Sequence, residues 1–488
     1  MAHHCRGCWF ITLPDCEVAA ELARRVGQAA CQRMDHPSGR PWLVGCWPAE
    51  RVVVSSTGHI RVALLGLVTL STEELATKIG FVRWLVELDE LSTAAAGSFY
   101  LVASENGQVR VQGSVSEARR VFYAQARGVT VAASHAHLLA WLCGAGLDVR
   151  QVAARMAYGD LPHPLASASL WSGVRGLPGA CALYVDGSGQ GRVLRWWRPP
   201  DPALPLTEGS AAVRGALLDA VSARVTPGQT LAADLSGGLD STSICFLAAH
   251  AGARSVTVTL CWTGPGNEDA AWAAQAAALL PGLQRLVYTP EQLPAYFTDI
   301  GEPGEPLDEP TLAIRDRAIQ RVIATDLTAL GAAERLVGHG GDHVLQAPPH
   351  YLHGLLRRHP GQALRQARGW RALHRWPAAA TTASPMTSAP EGWGNELRLP
   401  PWASAHAVEA LTGLLRETAQ TAEPLASSRG QHARIHQAQA AGRTARQIEH
   451  ATTAAGVPAT SPFSTGSSKP AWPCAPRTPT HPGSTSRS

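Results

Sequence analysis

Lysine is almost missing from these 488 residues: Lys78 and Lys469 stand alone, and arginine supplies the rest of the 42 basic side chains. Chemistry that wants a lysine between those two positions has none to use. The skew, together with abundant alanine, 46 glycines and 35 prolines, reads as the product of a GC-rich genome. Charge is also scarce in net terms. A formal balance of +4 without a basic run excludes nucleic acid as an expected partner. No apolar run reaches the roughly 20 residues needed to span a bilayer, and the start lacks the basic and apolar regions of a signal peptide. A soluble, cytoplasmic protein is expected. The ten cysteines follow no regular spacing, so free thiols in a reducing compartment are expected rather than a disulfide scaffold. His3, His4, Cys5 and Cys8 lack a second ligand pair at matching spacing and carry no metal-site assignment. Gly-x-x-x-x-Gly-Lys-Ser/Thr is absent too, which excludes the ordinary kinase or GTPase phosphate loop.

What is present suggests two domains and a ragged end, since a chain of this length holds more than one core. Up to about Trp197 the signals are mostly β. Ile60 to Leu64 alternates partly, Phe99 to Ala103 leads into Glu105-Asn106-Gly107, and Val109 to Gln112 supplies a returning strand. Asn-Gly between β-rich runs predicts a hairpin. Val129 to Ala133 predicts another strand and Leu138 to Leu142 a short helix. Pro199, Pro200, Pro202 and Pro205 then mark a linker, because such a cluster cannot lie inside a helix or a central strand.

From about Leu206 helices and short apolar strands alternate. Helices are expected over Ala211 to Val225, Ser241 to Ala251, Glu268 to Leu280 and Thr311 to Leu330. Strands are expected over Thr230 to Leu235, Ser255 to Cys261, Gln284 to Tyr288 and Glu334 to Val337. That alternation implies a parallel sheet covered by helices, with ligands at the carboxyl ends of its strands.

Two glycine loops fall at those ends. In Ser236-Gly237-Gly238-Leu239-Asp240-Ser241, adjacent glycines let backbone amides turn inward, and the following helix aims its positive end at the same place. With the hydroxyls of Ser236 and Ser241 these form a cradle for pyrophosphate. Asp240 is out of place in an anion site unless a cation intervenes, which implies Mg²⁺. The bland alternative is a turn in which Asp240 or Ser241 only caps a helix. Gly338-His339-Gly340-Gly341-Asp342 brings a second carboxylate, suited to sharing that metal. Glu268 opens a helix, where an acid is welcome without any chemical role. Asp308-Glu309-Pro310 precedes another helix and is open between a cap and a substrate or metal contact.

These motifs occur in the order found in asparagine synthetases and β-lactam synthetases. More closely, the chain resembles the lasso peptide isopeptide bond-forming cyclases, or macrolactam synthetases, of actinobacteria. His36 to Gly45, Val109 to Gly113, His163-Pro164-Leu165-Ala166, Pro400-Pro401-Trp402-Ala403 and Glu423-Pro424-Leu425-Ala426 carry the likeness, which spans about residues 8 to 463. It implies an α/β architecture: a glutaminase-like (Ntn-hydrolase-like) α+β sandwich over 1–198, then a parallel-sheet ATP-pyrophosphatase domain over 206–463.

The resemblance implies ATP and Mg²⁺, with Ser236, Gly237, Gly238, Asp240, Ser241, Gly338 and Gly340 around the nucleotide. Asp240 and Asp342 would hold the metal, and Glu268 and His339 would act in catalysis. His339 stands where β-lactam synthetases carry a tyrosine, so it either helps deprotonate an amine or is a neutral structural histidine. Glutamine-dependent relatives expose a cysteine directly after the initiator methionine. Ala2 occupies that position, and the first domain is expected to be a scaffold without glutaminase activity. The implied partners are a linear precursor peptide, a leader peptidase and a leader-recognition protein. The alternatives are an ammonia-using asparagine synthetase, or an impaired copy that binds nucleotide or peptide without chemistry. After Phe463 relatives continue with an acidic helical segment and a lysine. Here the chain turns to Ser, Thr, Gly and Pro, so 464–488 is expected to be a disordered or frame-shifted tail, and Pro377 to Pro401 a disordered loop.

Overall fold

The computed structural model describes residues 8–157, 161–201, 204–280, 282–302, 304, 306–375 and 399–464. The expectations for residues 1–7, for most of the loop from Pro377 and for the tail with Lys469 lie outside the described residues.

The first half is a stack of two six-stranded antiparallel sheets. One runs, in spatial order, Val174–Gly176, Phe122–Ala126, Val129–Ala133, Trp9–Thr12, Pro41–Cys46 and Gln32–Asp35. The other runs Gly191–Arg195, Cys181–Val185, Gln108–Gln112, Gly97–Glu105, Ile60–Val68 and Val52–Thr57. Between them Phe10, Trp42, Leu43, Leu65, Tyr100, Val102, Val111 and Leu183 form a dry core. Helices Glu17–Gly27 and Ala136–Cys143 cover the outer face of the first sheet, and Thr72–Ile79 and Leu88–Ala94 that of the second. The result is a four-layer helix–sheet–sheet–helix sandwich. The expected hairpin is present: Asn106 and Gly107 both take positive φ (47° and 82°), the requirement of a tight turn whose twist matches its strands.

The second half is built on a five-stranded parallel sheet with spatial order Gln284–Tyr288, Arg254–Leu260, Thr230–Asp234, Ala332–Leu336 and Ala459–Thr460. The α/β class expected from the sequence is therefore the observed one. Helix Leu239–His250 packs through Ile244, Cys245 and Ala248 on one face, while Arg317–Ala329 covers the other through Ile319, Ile323 and Leu327. The expected helix over Thr311 to Leu330 is split: Leu312–Asp316 is a 3₁₀ turn capped by the Thr311 hydroxyl, and the α-helix starts at Arg317. Helix Leu206–Ser222 begins five residues before its expected start, directly after Pro205. The longest helix, Arg429–Thr453, lies between the two halves, and the sequence reading did not foresee it.

One expectation is corrected. Cys31 and Cys46 are joined by a disulfide across neighbouring antiparallel strands, their Cα atoms 4.9 Å apart, within the range that permits the bond. Cys8, Cys16, Cys143, Cys181, Cys245 and Cys261 are free. Among the described residues no helix is long and apolar enough to cross a membrane.

Candidate nucleotide site

Chain order along the parallel sheet reverses between Thr230–Asp234 and Ala332–Leu336, which are neighbours although three helices and two strands separate them in sequence. A crevice opens where successive connections leave in opposite directions, and ligands of open α/β sheets bind there. The two glycine loops follow these two strands. They also touch: a Cβ on Gly338 would lie 2.8 Å from the Ser241 amide nitrogen. Gly237 has φ +91°, and its Cβ would lie 2.2 Å from the Asp269 carbonyl oxygen, so only glycine fits that turn.

Helix Leu239–His250 starts at Gly238 without a side-chain cap, which leaves the amides of its first turn available to a ligand. Ser236 and Gly238 are exposed. Ser241, expected from sequence at the nucleotide, helps to build the loop. It is buried, its Oγ accepts the Ser236 amide at 3.1 Å, and it lies 2.8 Å from Ser236 Oγ. Its hydroxyl therefore ties the loop together, donating in turn to the Gly238 carbonyl at 3.3 Å.

Asp240 and Asp342 are brought together. The Asp240 carboxylate accepts the Asp342 amide, and a Cβ on Gly341 would overlap that carboxylate at 2.1 Å. Burial, and then the charge of Asp342, push the Asp240 carboxyl above its ordinary value, with His343 acting weakly the other way. A carboxylate whose charge is disfavoured by a second one beside it is eased by a cation. Among the described residues no group of three or more His, Cys, Asp or Glu side chains is arranged to hold a metal. A Mg²⁺ site relies on one or two carboxylates, here Asp240 and Asp342, and takes its remaining oxygens from phosphates and water. The residues present fit the ion.

His339 lies in the same loop, its ring 5.7 Å from that of His343. It hydrogen-bonds the Ala441 carbonyl, while Nε2 is buried without a partner. Nδ1 is then the donor and Nε2 carries the lone pair. Burial, and then His343, hold the ring below its ordinary pKa, so it is neutral near pH 7. Glu268 is exposed and precedes Asp269, whose backbone abuts Gly237, so it stands beside the first loop.

Asp308 and Glu309 are elsewhere. Asp308 is buried, receives Arg446 Nε and Nη2 at 3.0 and 2.8 Å, and accepts the Ala136 amide at 2.9 Å. Burial pushes its carboxyl up, but Arg446 and three histidines hold it well below the usual range. Glu309 pairs with Arg155 at 3.1 Å and Arg120 at 3.4 Å. The motif left open between a cap and a ligand contact is a clamp between the two halves, and Asp308 caps a helix more than a hundred residues away. The sequence reading also missed Arg434, whose Nη2 donates to the Val344 carbonyl behind the second loop at 2.9 Å. Nothing in its local sequence distinguishes it from other helical arginines.

Cys8 borders a separate cavity of about 340 Å³ between the halves, shared with His135, His137, His450, Arg119 and Glu449. Burial raises its thiol to about 11, so it is protonated at neutral pH and unactivated.

The two glycine loops thus meet at a reversal of strand order in an α/β half that is joined to an antiparallel sandwich. The chain belongs to the asparagine synthase family, whose model matches residues 212–466. A stretch of 111 residues, 22% of this chain, is 40% identical to the carboxyethyl-arginine beta-lactam-synthase of Streptomyces clavuligerus, and spans only 21% of that relative. Among solved structures, the glutamine phosphoribosylpyrophosphate amidotransferase of B. subtilis aligns with 68% of this chain and 81% of its own at 9% identity and a TM-score of 0.26. The NH3-dependent NAD synthetase of Campylobacter jejuni aligns with 29% and 60% at 14% identity and a TM-score of 0.20. Superpositions this loose say nothing of function.

Proposed function

We propose that this protein forms an amide bond at the expense of ATP by adenylating a carboxylate, and that its substrate is a linear peptide closed into a macrolactam. The observation that carries the reading is the pair of glycine loops at the strand-order reversal, with Asp240 and Asp342 side by side. Amides around Gly237 and Gly238 and the open first turn of Leu239–His250 would receive the β- and γ-phosphates. Asp240 and Asp342 would hold Mg²⁺, which when bound offsets charge on the departing pyrophosphate.

A side-chain carboxylate of the peptide attacks the α-phosphorus, the bond to the bridging oxygen breaks, and pyrophosphate leaves. The peptide's amino terminus then attacks the acyl carbon and AMP departs. His339, neutral near pH 7, is proposed to take the amine proton on Nε2 once the substrate reaches it. Glu268, exposed beside the first loop, is proposed to face the same substrates. Holding amine and adenylate together supplies much of the rate, since effective molarities of oriented groups reach roughly 10⁵ to 10⁸ M.

The sandwich is proposed to have no glutaminase activity, in keeping with the protonated Cys8, and the amine to come from the substrate. A leader peptidase and a leader-recognition protein are proposed to supply the peptide, in the cytoplasm. Mass spectrometry on the full chain with MgATP and a linear peptide bearing Asp or Glu tests the reading. A product lighter by one water, with AMP and pyrophosphate, is expected. Amide formation only from aspartate and free ammonia, or release of ADP and phosphate, refutes it.

A further inference from the structure

Helix Arg429–Thr453 touches the nucleotide crevice on one face and the two-sheet sandwich on another. On the crevice side, the Ala441 carbonyl accepts a hydrogen bond from the His339 ring, and Ala441 Cβ lies 3.6 Å from where a Gly340 Cβ would stand. On the other side, the next residue, Gly442, is pressed so tightly on the loop between strands Gln108–Gln112 and Phe122–Ala126 that a Cβ would overlap the Ser116 carbonyl oxygen at 1.8 Å. Arg443 follows, its Nη1 2.9 Å from Glu117 Oε2. Glu117 is 1% exposed and also accepts the Ser167 hydroxyl at 2.9 Å and the Gly179 amide at 3.4 Å. Ser116 Oγ reaches the Ser464 carbonyl at 2.9 Å, and Ser461 of the same terminal turn donates to the His339 carbonyl. The Ser464 hydroxyl lies 2.9 Å from the Gly340 Cβ position.

We infer that Glu117 and Ser116 are positioning residues for the catalytic loop: the sandwich sets the pose of His339 through Arg443 and Ala441 and through the turn 461–464. The two routes converge on the same two residues of the loop, His339 and Gly340. Helix residues 441, 442 and 443 are consecutive, so a shift of the Glu117–Arg443 contact cannot leave the Ala441 carbonyl in place. With that carbonyl displaced, His339 loses the bond that fixes its tautomer, and Nε2 no longer presents a lone pair. This explains what the sandwich contributes to an enzyme that has no use for glutamine. The role assigned to His339 rests on the function proposed above; the physical coupling does not.

The test compares the full-length wild type with Glu117→Gln and Ser116→Ala, each checked for a native melting profile. The His339 ring is observed by nitrogen-15 NMR after assignment with His339→Gln. A single Nδ1–H tautomer is expected in the wild type and a mixture in both variants, most marked in Glu117→Gln. Pyrophosphate release should fall at least tenfold in Glu117→Gln with little change in KM for ATP, and Glu117→Asp should restore part of it. An unchanged His339 tautomer in two folded variants overturns the inference. If Glu117→Gln does not fold, the milder Ser116→Ala decides it alone. A wild type that releases no pyrophosphate with any peptide would defeat the proposed function, and the tautomer comparison would still decide the coupling.

Discussion

Acid should loosen the seam between the two halves through His163. This residue hydrogen-bonds the Glu423 carbonyl at 3.0 Å and lies edge-on to His432, ring centres 5.4 Å apart. His432 Nδ1 in turn accepts the Leu425 amide. Burial lowers His163 from 6.5 to about 4, outweighing the Glu423 carbonyl and Glu117, which favour its charge; His436 and Arg195 disfavour it. The sign follows from proton counting. The unfolded chain binds a proton below about 6.5, whereas the folded protein refuses it until about 4, so stability is full above 6.5 and falls as pH drops between them. Across that window one proton is worth about 3 kcal/mol, and about 2 kcal/mol is already lost at pH 5.

Guanidinium denaturation of the wild type and His163→Gln at pH 7.0 and 5.0 measures this. Glutamine keeps a donor for the Glu423 carbonyl but does not titrate. The wild type should lose about 2 kcal/mol more than the variant on going to pH 5.0. Parallel losses would refute the reasoning, because the buried imidazole would then not be what resists protonation.

Three further outcomes are expected. Asp342→Asn should cut Mg²⁺-dependent pyrophosphate release at least a hundredfold and, by removing the neighbouring charge, bring the Asp240 carboxyl back toward its ordinary value, as read by NMR titration. Gly237→Ala, which places a Cβ 2.2 Å from the Asp269 carbonyl in a backbone of φ +91°, should weaken nucleotide binding at least tenfold by calorimetry while the sandwich remains folded. Glutamine added to the purified protein should yield no glutamate in an enzymatic assay.

The sequence made legible whatever rests on local signals. Gln284–Tyr288 was expected at its observed bounds, and the hairpin at Asn106-Gly107 follows from turn chemistry. The glycine loops were legible because strand, loop and helix are contiguous. The long helix was not: its buried residues mix His432, His436, Gln439, Arg443 and Arg446 with Ala433, Ile435, Ala441 and Ala445, which blurs the apolar periodicity that would announce it. Asp308 and Glu309 were unreadable for a related reason. Their partners Arg446, Arg155 and Arg120 are distant in sequence, and a lone acidic pair before a helix does not say which charges it will meet.

The parallel sheet also has a history in time. Ala332–Leu336 is bordered on its far side by Ala459–Thr460, made 124 residues later. At about 5–20 residues per second on the ribosome, that edge stays bare for roughly 6 to 25 s, long enough for another nascent chain to pair with it. The sandwich is complete by then, and the loop that carries Glu117 waits as a mould for the helix that precedes the closing strand. Slow translation between the two strands would lengthen the hazard, and aggregation during expression would be its symptom.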